Sequence, residues 1–572
     1  MKSAITFLIL GSVFSLFAQS DVFETDGKGN REIEKRSRIL SYPKIVDTIK
    51  QSPISTRPLM DLKASVKVTT DTIQAAEIET EQLLNKFYPA YLKLGMGSAL
   101  NPLGELYINS TRSRNNYFGL HIKHNSFFGD IKNREKQLLA PATFDKTSFL
   151  GTFQSTQSKY TFLSQINYLN HGFHYYGLVN PSANKDSIAQ RYQSFDATLG
   201  LDLHRGDTAV FNVRTTAKFR FTGTAKPYID SLADWKSRER GFSLNSMGYY
   251  RTAQHEFFGL LGLRYNGYSY GILDSMLAPS DSGLISKNTI FDINPGIKSI
   301  FNSKKLSINA GFLVSIDNGP ATKAYFFPAV SLQYALIKNV LVPYLSLKGQ
   351  VKQNNLFALY NSNPFILTNL ILQNEVNPYD IQLGIRGKIG SSFNAGLGAN
   401  FIKINTRAFF ITDTLLSTGN RFNLVYDSLN QTTLEAFMSF NYRKKMLVSF
   451  LARYHSYEML HEAKAWNLPQ MEFQLSASYN LYNKLLFKVD FYAALNRFAQ
   501  VYANGTGVQT LNNQYFINLG PIIDGNLSME YRYNNRFSGF LQVNNVAAQR
   551  YLQFYNYPVI PIQVLAGITC KF

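Results

Sequence analysis

Eight histidines, 38 acidic side chains and a single cysteine are what this chain of 572 residues offers for reactive chemistry. His121/His124 and His171/His174 have the separation of metal ligands, three residues apart. On a strand, residues three apart point to opposite faces, so neither pair can grip one ion from regular β-structure. His455 and His461 stand near Glu458 and Glu462, the richest acid and histidine cluster, and their polar surroundings read as a solvated outer loop. Asp196, Asp202 and His204 differ by even numbers, so one strand face would carry all three, as a polar channel lining also requires. Cys570 is one apolar position in an alternating run, a small hydrophobe by context. No glycine-rich phosphate loop is present, the glycines being spread through strand-like segments. These residues assign no catalytic, cofactor-binding or metal site, imply no cofactor, and describe a protein that is not an enzyme.

The elements that would carry these side chains alternate with a period of two from Ala90 onward. In 210–222, Asn212, Arg214, Thr216, Lys218 and Arg220 alternate with Phe211, Val213, Thr215, Ala217, Phe219 and Phe221. In 306–317 the apolar set is Leu306, Ile308, Ala310, Phe312, Val314 and Ile316, and in 485–495 it is Leu485, Phe487, Val489, Phe491, Ala493 and Leu495. The last run ends on Phe572, with Ile562, Val564, Ala566, Ile568 and Cys570 on one face. A soluble sandwich also alternates, so the connections arbitrate. Ten short polar turns (112–115, 157–159, 204–207, 252–255, 302–305, 338–339, 390–392, 443–445, 482–484 and 534–536) alternate with mostly longer loops such as 353–373. That wiring predicts an all-β transmembrane outer-membrane barrel of about 22 antiparallel strands, turns in the periplasm and loops outside.

Residues 1–20 read as a signal peptide, with Lys2, an apolar run from Ala4 to Phe17 and small residues at Ala18 and Ser20. Residues 21–89 are polar and carry Pro43, Pro53, Pro58 and Pro89, which reads as a largely irregular periplasmic extension before the barrel at 90–572. The net charge of +20 needs a partner. Export argues against nucleic acid. Arg214, Lys218, Arg220, Arg264 and Lys488 fall on polar strand faces and so into the lumen, where they would favour anions. Lys304, Lys305, Lys338, Arg443, Lys444, Lys445, Lys484 and Arg536 fall in or beside the short turns, where they would meet outer-membrane lipid headgroups or water.

The tail "FLQVNNVAAQRY", followed by "YP" and a closing strand ending in Phe572, resembles the carboxy-terminal end of TonB-dependent receptors. The stretch "NEVNPYDIQLGIRGKIGSSFNAGLGANFIKINTRAFF", Asn374 to Phe410, is similar to a barrel hairpin of the same receptors, with Asn377-Pro378-Tyr379 in place of their usual Pro-Glu. The resemblance implies Phe572 as the signal read by the barrel-assembly machinery. It departs from the family in one respect: 21–89 is too short for the plug domain that fills such barrels, which places the chain with plugless receptor-like barrels of the Bacteroidota type. The expectation is an outer-membrane protein that passes or takes up a small, anion-biased solute, passively or with a gating partner. The alternatives are a structural subunit of an outer-membrane assembly or secretion complex that docks a partner through 21–89, and an outer-membrane enzyme. A barrel of this width needs its lumen blocked, by inward-folded loops, by the extension or by another protein.

Overall fold

A computed structural model describes residues 87–98, 100–111, 113, 115–204, 210–226, 236–270, 284–301, 305–337, 340–443, 445–502 and 508–572. The expected signal peptide, nearly all of the expected 21–89 extension, and with them the question of a plug, lie outside the described residues. From Ala90 the chain forms a 22-stranded antiparallel sheet in which each strand pairs with the next. The first strand, Ala90–Gly97, pairs with the last, Gln563–Lys571, and closes the sheet into a barrel. Two backbone bonds clasp this seam: Ala90 N donates to the Phe572 carbonyl at 2.9 Å, and Phe572 N to the Ala90 carbonyl at 3.0 Å.

The strand ends that flank the ten predicted turns lie at one end, together with the start of the first strand and the end of the last. At the other end the connections are longer, apart from two tight ones around 98–100 and 319–321. At Gly390, φ of +61° lets a minimal turn reverse the chain between Glu375–Ile389 and Phe393–Asp413. This hairpin is the one similar to TonB-dependent receptors, and its Asn377-Pro378 sits where the strand register shifts between Val376 and Tyr379.

The outward face is the apolar one. Phe219, Phe221, Phe312, Ile316, Phe487, Val489, Phe491, Val564 and Ile568 are exposed large hydrophobics from the predicted apolar faces, whereas Thr569 and Leu565 on the opposite face of the last strand are buried. The barrel strands differ in length. They run from 8 residues to 22, the longest being Arg421–Tyr442, paired with the 21-residue Phe393–Asp413. About ten tilted residues cross an apolar band, so this hairpin extends beyond it. On its projecting part Ile404, Phe409 and Leu429 bury Trp466 and Phe516 in a cluster of their own. Within the loop 497–512, Phe498–Val501 and Val508–Leu511 pair with Gln514–Asn518 as a small separate sheet.

Candidate functional site

Among the described residues, the largest buried apolar cluster gathers around a connection. Between the thirteenth strand, Val342–Lys352, and the fourteenth, Glu375–Ile389, the chain forms a short helix, Leu356–Ser362, and an extended return. Asn355 caps the helix by accepting from Ala358 N at 2.8 Å. Leu356, Ile366, Leu367 and Leu370 of this segment are essentially inaccessible to solvent. They pack with Phe173, Tyr192 and Tyr268 from other strands. Tyr360 stacks on Tyr192 with ring centroids 4.0 Å apart, and Tyr192 belongs to the sixth strand, eight positions round the ring from the fourteenth. The segment therefore runs inward across the long-loop end of the lumen and forms a cap.

Polar anchors fix the cap where its backbone would otherwise lose water. Glu239, 2% exposed, accepts from Leu356 N at 2.7 Å and Phe357 N at 3.1 Å, so a carboxylate meets the unpaired N–H groups at the helix start. The Arg220 guanidinium lies 3.8 Å above the Phe357 ring. Tyr268 and Ser237 both donate to the Thr368 carbonyl. Leu367 N donates to the Phe422 carbonyl at 2.8 Å, and Phe422 N to the Phe365 carbonyl at 3.0 Å.

The receptor-like tail completes the cap. Asn545 takes φ of +53° after the strand Phe537–Asn544, and its amide donates to the carbonyls of Gln549 at 3.0 Å and Ile560 at 3.2 Å. The loop it shapes carries Tyr557, fully buried and stacked on Phe365 at 3.7 Å. Gly177 passes so close beneath Tyr557 that a Cβ there would stand 2.7 Å from the ring. Arg497 is buried and donates to the carbonyls of Leu552 and Gln553. Burial lowers its pKa to about 10, which leaves it charged at neutral pH.

Beside Phe365 lies a cavity of about 300 Å³. Its walls include Phe173 and His171 from the fifth strand, Asp524 and Asn526 from Ile522–Arg532, and Tyr551 from the last loop. Tyr551 donates to Asp524 Oδ2 at 2.6 Å. Burial first, and then this bond and the charge of Asp524, hold the Tyr551 hydroxyl well above its usual pKa, so it stays a donor.

No family model matches the sequence, and no curated protein does. Solved structures do match. The pyoverdine outer membrane receptor FpvA from Pseudomonas aeruginosa PAO1 bound to pyoverdine aligns with a TM-score of 0.61 at 14% identity, over 85% of this chain and 79% of that one. The FrpB iron transporter from Neisseria meningitidis aligns with a TM-score of 0.66 at 11% identity, over 86% and 83%. The ferric-catecholate import receptor Fiu from Escherichia coli K12 gives 0.60 at 11% identity, over 85% and 82%. The barrel has the fold of TonB-dependent outer-membrane receptors. At these identities the likeness is one of architecture.

Each of the five cations expected in the lumen has an acidic side chain within ion-pair distance. Arg214 pairs with Asp202 at 2.5 Å, Arg220 and Lys218 both with Asp196, Arg264 with Asp292 at 2.6 Å, and Lys488 with Asp490 at 2.6 Å. These pairs weigh against the expected anion-favouring lining: Asp196 lies directly across the strand pair from Arg220 and Asp202 from Arg214, Asp292 is offset from Arg264 on the neighbouring strand, and Asp490 follows Lys488 on the same strand. His121 faces inward to Glu105 at 3.0 Å and His124 bonds Thr147 at 2.8 Å on the other face, as the spacing argument requires. His171 and His174 behave differently, since the strand ends at His174 and both border the cavity. His455 belongs to the strand Met446–Met459 and bonds Thr433 at 2.8 Å, so the loop assigned to it begins later; His461 bonds Asp427 at 2.9 Å. His204 contacts Thr161 at 3.0 Å, apart from the two aspartates. Sequence reasoning missed Glu239, Tyr192, Tyr268 and Asp524. The sole signal was the apolar "LFALYNSNPFILTNLIL" inside a predicted outer loop, which a solvated loop would not contain.

Proposed function

We propose that this chain resides in the outer membrane and passes or takes up a small solute through its lumen, with the 353–374 cap as the element that must move. The inward cap carries this reading. It is an ordered closure built from a connection, anchored on strands across the ring, and a purely structural barrel has no need of one at its mouth. The mouth is then closed by the chain's own loops and not by a separate plug. Support for the location comes from the continuous exposed apolar band and from the short-turn end, where Lys305, Arg443, Lys445, Lys484 and Arg536 are exposed beside the exposed Tyr482 and Tyr533. Cations next to tyrosines suit the level of lipid headgroups. Lys304, Lys338 and Lys444 lie outside the described residues. The receptors and transporters of pyoverdine, iron and ferric catecholate that share the fold lend the transport class, without lending a substrate. In this reading the chain catalyses no reaction.

The test is conductance of the full chain in planar bilayers against a variant in which 354–373 is replaced by a short Gly/Ser linker. The parent should be closed or rarely open, and the variant should conduct steadily. A variant that folds as a barrel, shown by heat-modifiable migration, and yet never conducts would overturn the reading.

A further inference from the structure

The cavity beside the cap is an unusual place for a carboxylate. Asp524 satisfies one oxygen with the Tyr551 hydroxyl at 2.6 Å, but its Oδ1 is buried without a hydrogen-bond partner. Other lumen carboxylates, Asp196, Asp202, Asp292 and Asp490, each have a cation within ion-pair distance. Among the described residues that line this cavity there is neither lysine nor arginine. Arg497, whose charge acts on Tyr551, gives its hydrogen bonds to the Leu552 and Gln553 carbonyls and is not part of the lining. The amides offer little competition: Asn545 uses both ends of its side chain within the last loop, and Asn526 Oδ1 accepts from Asn545 N at 3.1 Å. Phe173, Phe365, Tyr176 and Tyr551 contribute aromatic surface. An unpaired carboxylate oxygen among aromatic rings is the chemistry that holds an organic cation, which gains from the charge and from the ring faces together.

We infer that this cavity is a binding subsite for the ammonium group of a small amine-bearing solute, held by Asp524 against the surrounding aromatic rings. The inference rests on the transport reading and narrows its substrate class. It replaces the anion expected from the sequence with a cation. Tyr551 keeps the carboxylate oriented, and Phe365 belongs to the cap, so occupation of the subsite and movement of the cap share a residue.

Calorimetric titration of the detergent-solubilised full chain tests this without reference to conductance. The probes are choline, its neutral carbon isostere 3,3-dimethylbutan-1-ol, and glucose as a neutral polyol. Choline should bind saturably and the isostere about tenfold or more weakly, the size expected when a charge-assisted contact is lost. Asp524→Asn should abolish that preference and Asp524→Glu should retain part of it, which separates loss of charge from misfolding. Equal binding of choline and its isostere, choline binding untouched in Asp524→Asn, preference for glucose, or no saturable choline heat would each overturn the inference. Any of these could occur with the cap-deleted pore still conducting, so the two readings fail separately.

Discussion

Glu239→Gln asks how tightly the mouth is held. The carboxylate takes Leu356 N at 2.7 Å, Phe357 N at 3.1 Å and the Asn266 amide at 3.1 Å. An amide keeps one acceptor oxygen and turns an NH₂ group toward donors, so at least one bond to the helix start is lost along with the charge. A hydrogen bond to a charged partner contributes about 1.5–3 kcal/mol. The charge at a helix start adds about 0.3–1 kcal/mol. Together the closed cap should lose about 2–4 kcal/mol. If the cap exchanges between closed and open states, the open-to-closed ratio rises about 30- to 700-fold. Single-channel recording in planar bilayers reads this as open probability. The parent should open rarely and Glu239→Gln often, at the same unit conductance. Phe357→Ala, which removes the ring contact with Arg220 and leaves the Glu239 bonds in place, should give a smaller rise. An open probability unchanged in Glu239→Gln, while the cap deletion conducts, would show that the carboxylate does not latch the cap.

Three further outcomes follow from named contacts. Arg220→Met leaves the buried Asp196 with Lys218 at 3.6 Å as its one ion-pair partner and the Asn167 amide at 3.4 Å, and should lower stability by about 3 kcal/mol in urea titration of the detergent-solubilised barrel, with Arg220→Met/Asp196→Asn recovering most of it; equal stability of the single variant and the parent would refute the pairing. Gly177→Val places side-chain atoms where the Tyr557 ring lies, at a cost of about 1–3 kcal/mol borne by the cap, not by the strands; raised open probability with unaltered heat-modifiable migration is expected, and loss of the folded band would contradict it. Deleting Phe572 removes both backbone bonds of its clasp with Ala90, and the folded fraction on gels should fall, whereas an unchanged fraction would mean that the other seam pairs suffice.

Strand number and facing were legible because a barrel imposes one rule on every strand: outward residues meet an apolar solvent and inward ones do not. Phe487, Val489 and Phe491 against Lys488, Asp490 and Tyr492 report that rule locally, with no need of distant partners. The short turns were equally legible, since reversal within a few residues selects polar and left-handed positions such as Gly390 and Asn483. The cap was not legible, because its partners lie far away in sequence. Nothing in "NNLFALYNSNPF" specifies that Leu356 N will meet Glu239, 117 positions earlier. The cavity was hidden for the same reason, since Asp524 and Phe173 become neighbours only when the ring closes.

The pairing of lumen charges decides what selectivity the pore wall can supply. A lone guanidinium about 8 Å from a passing anion attracts it by about 2 kcal/mol at an effective dielectric of about 20. With a carboxylate about 3 Å behind it, the same geometry leaves about 0.6 kcal/mol, because the second charge acts with opposite sign from about 11 Å. Arg214, Arg220, Arg264 and Lys488 all have such a partner. These four pairs are rich in charge and poor in net field, so they do not choose the sign of the solute. Selection then falls to a group with no counter-charge in direct contact. Asp524 meets that condition, with one oxygen on a neutral hydroxyl and the other without a hydrogen-bond partner. In the cap-deleted pore, Asp524→Asn should therefore shift the reversal potential in a salt gradient further from cation preference than Lys218→Glu/Arg220→Glu shifts it toward that preference per unit charge. A larger effect per charge from the Lys218/Arg220 pair would place the selecting field on the wall instead.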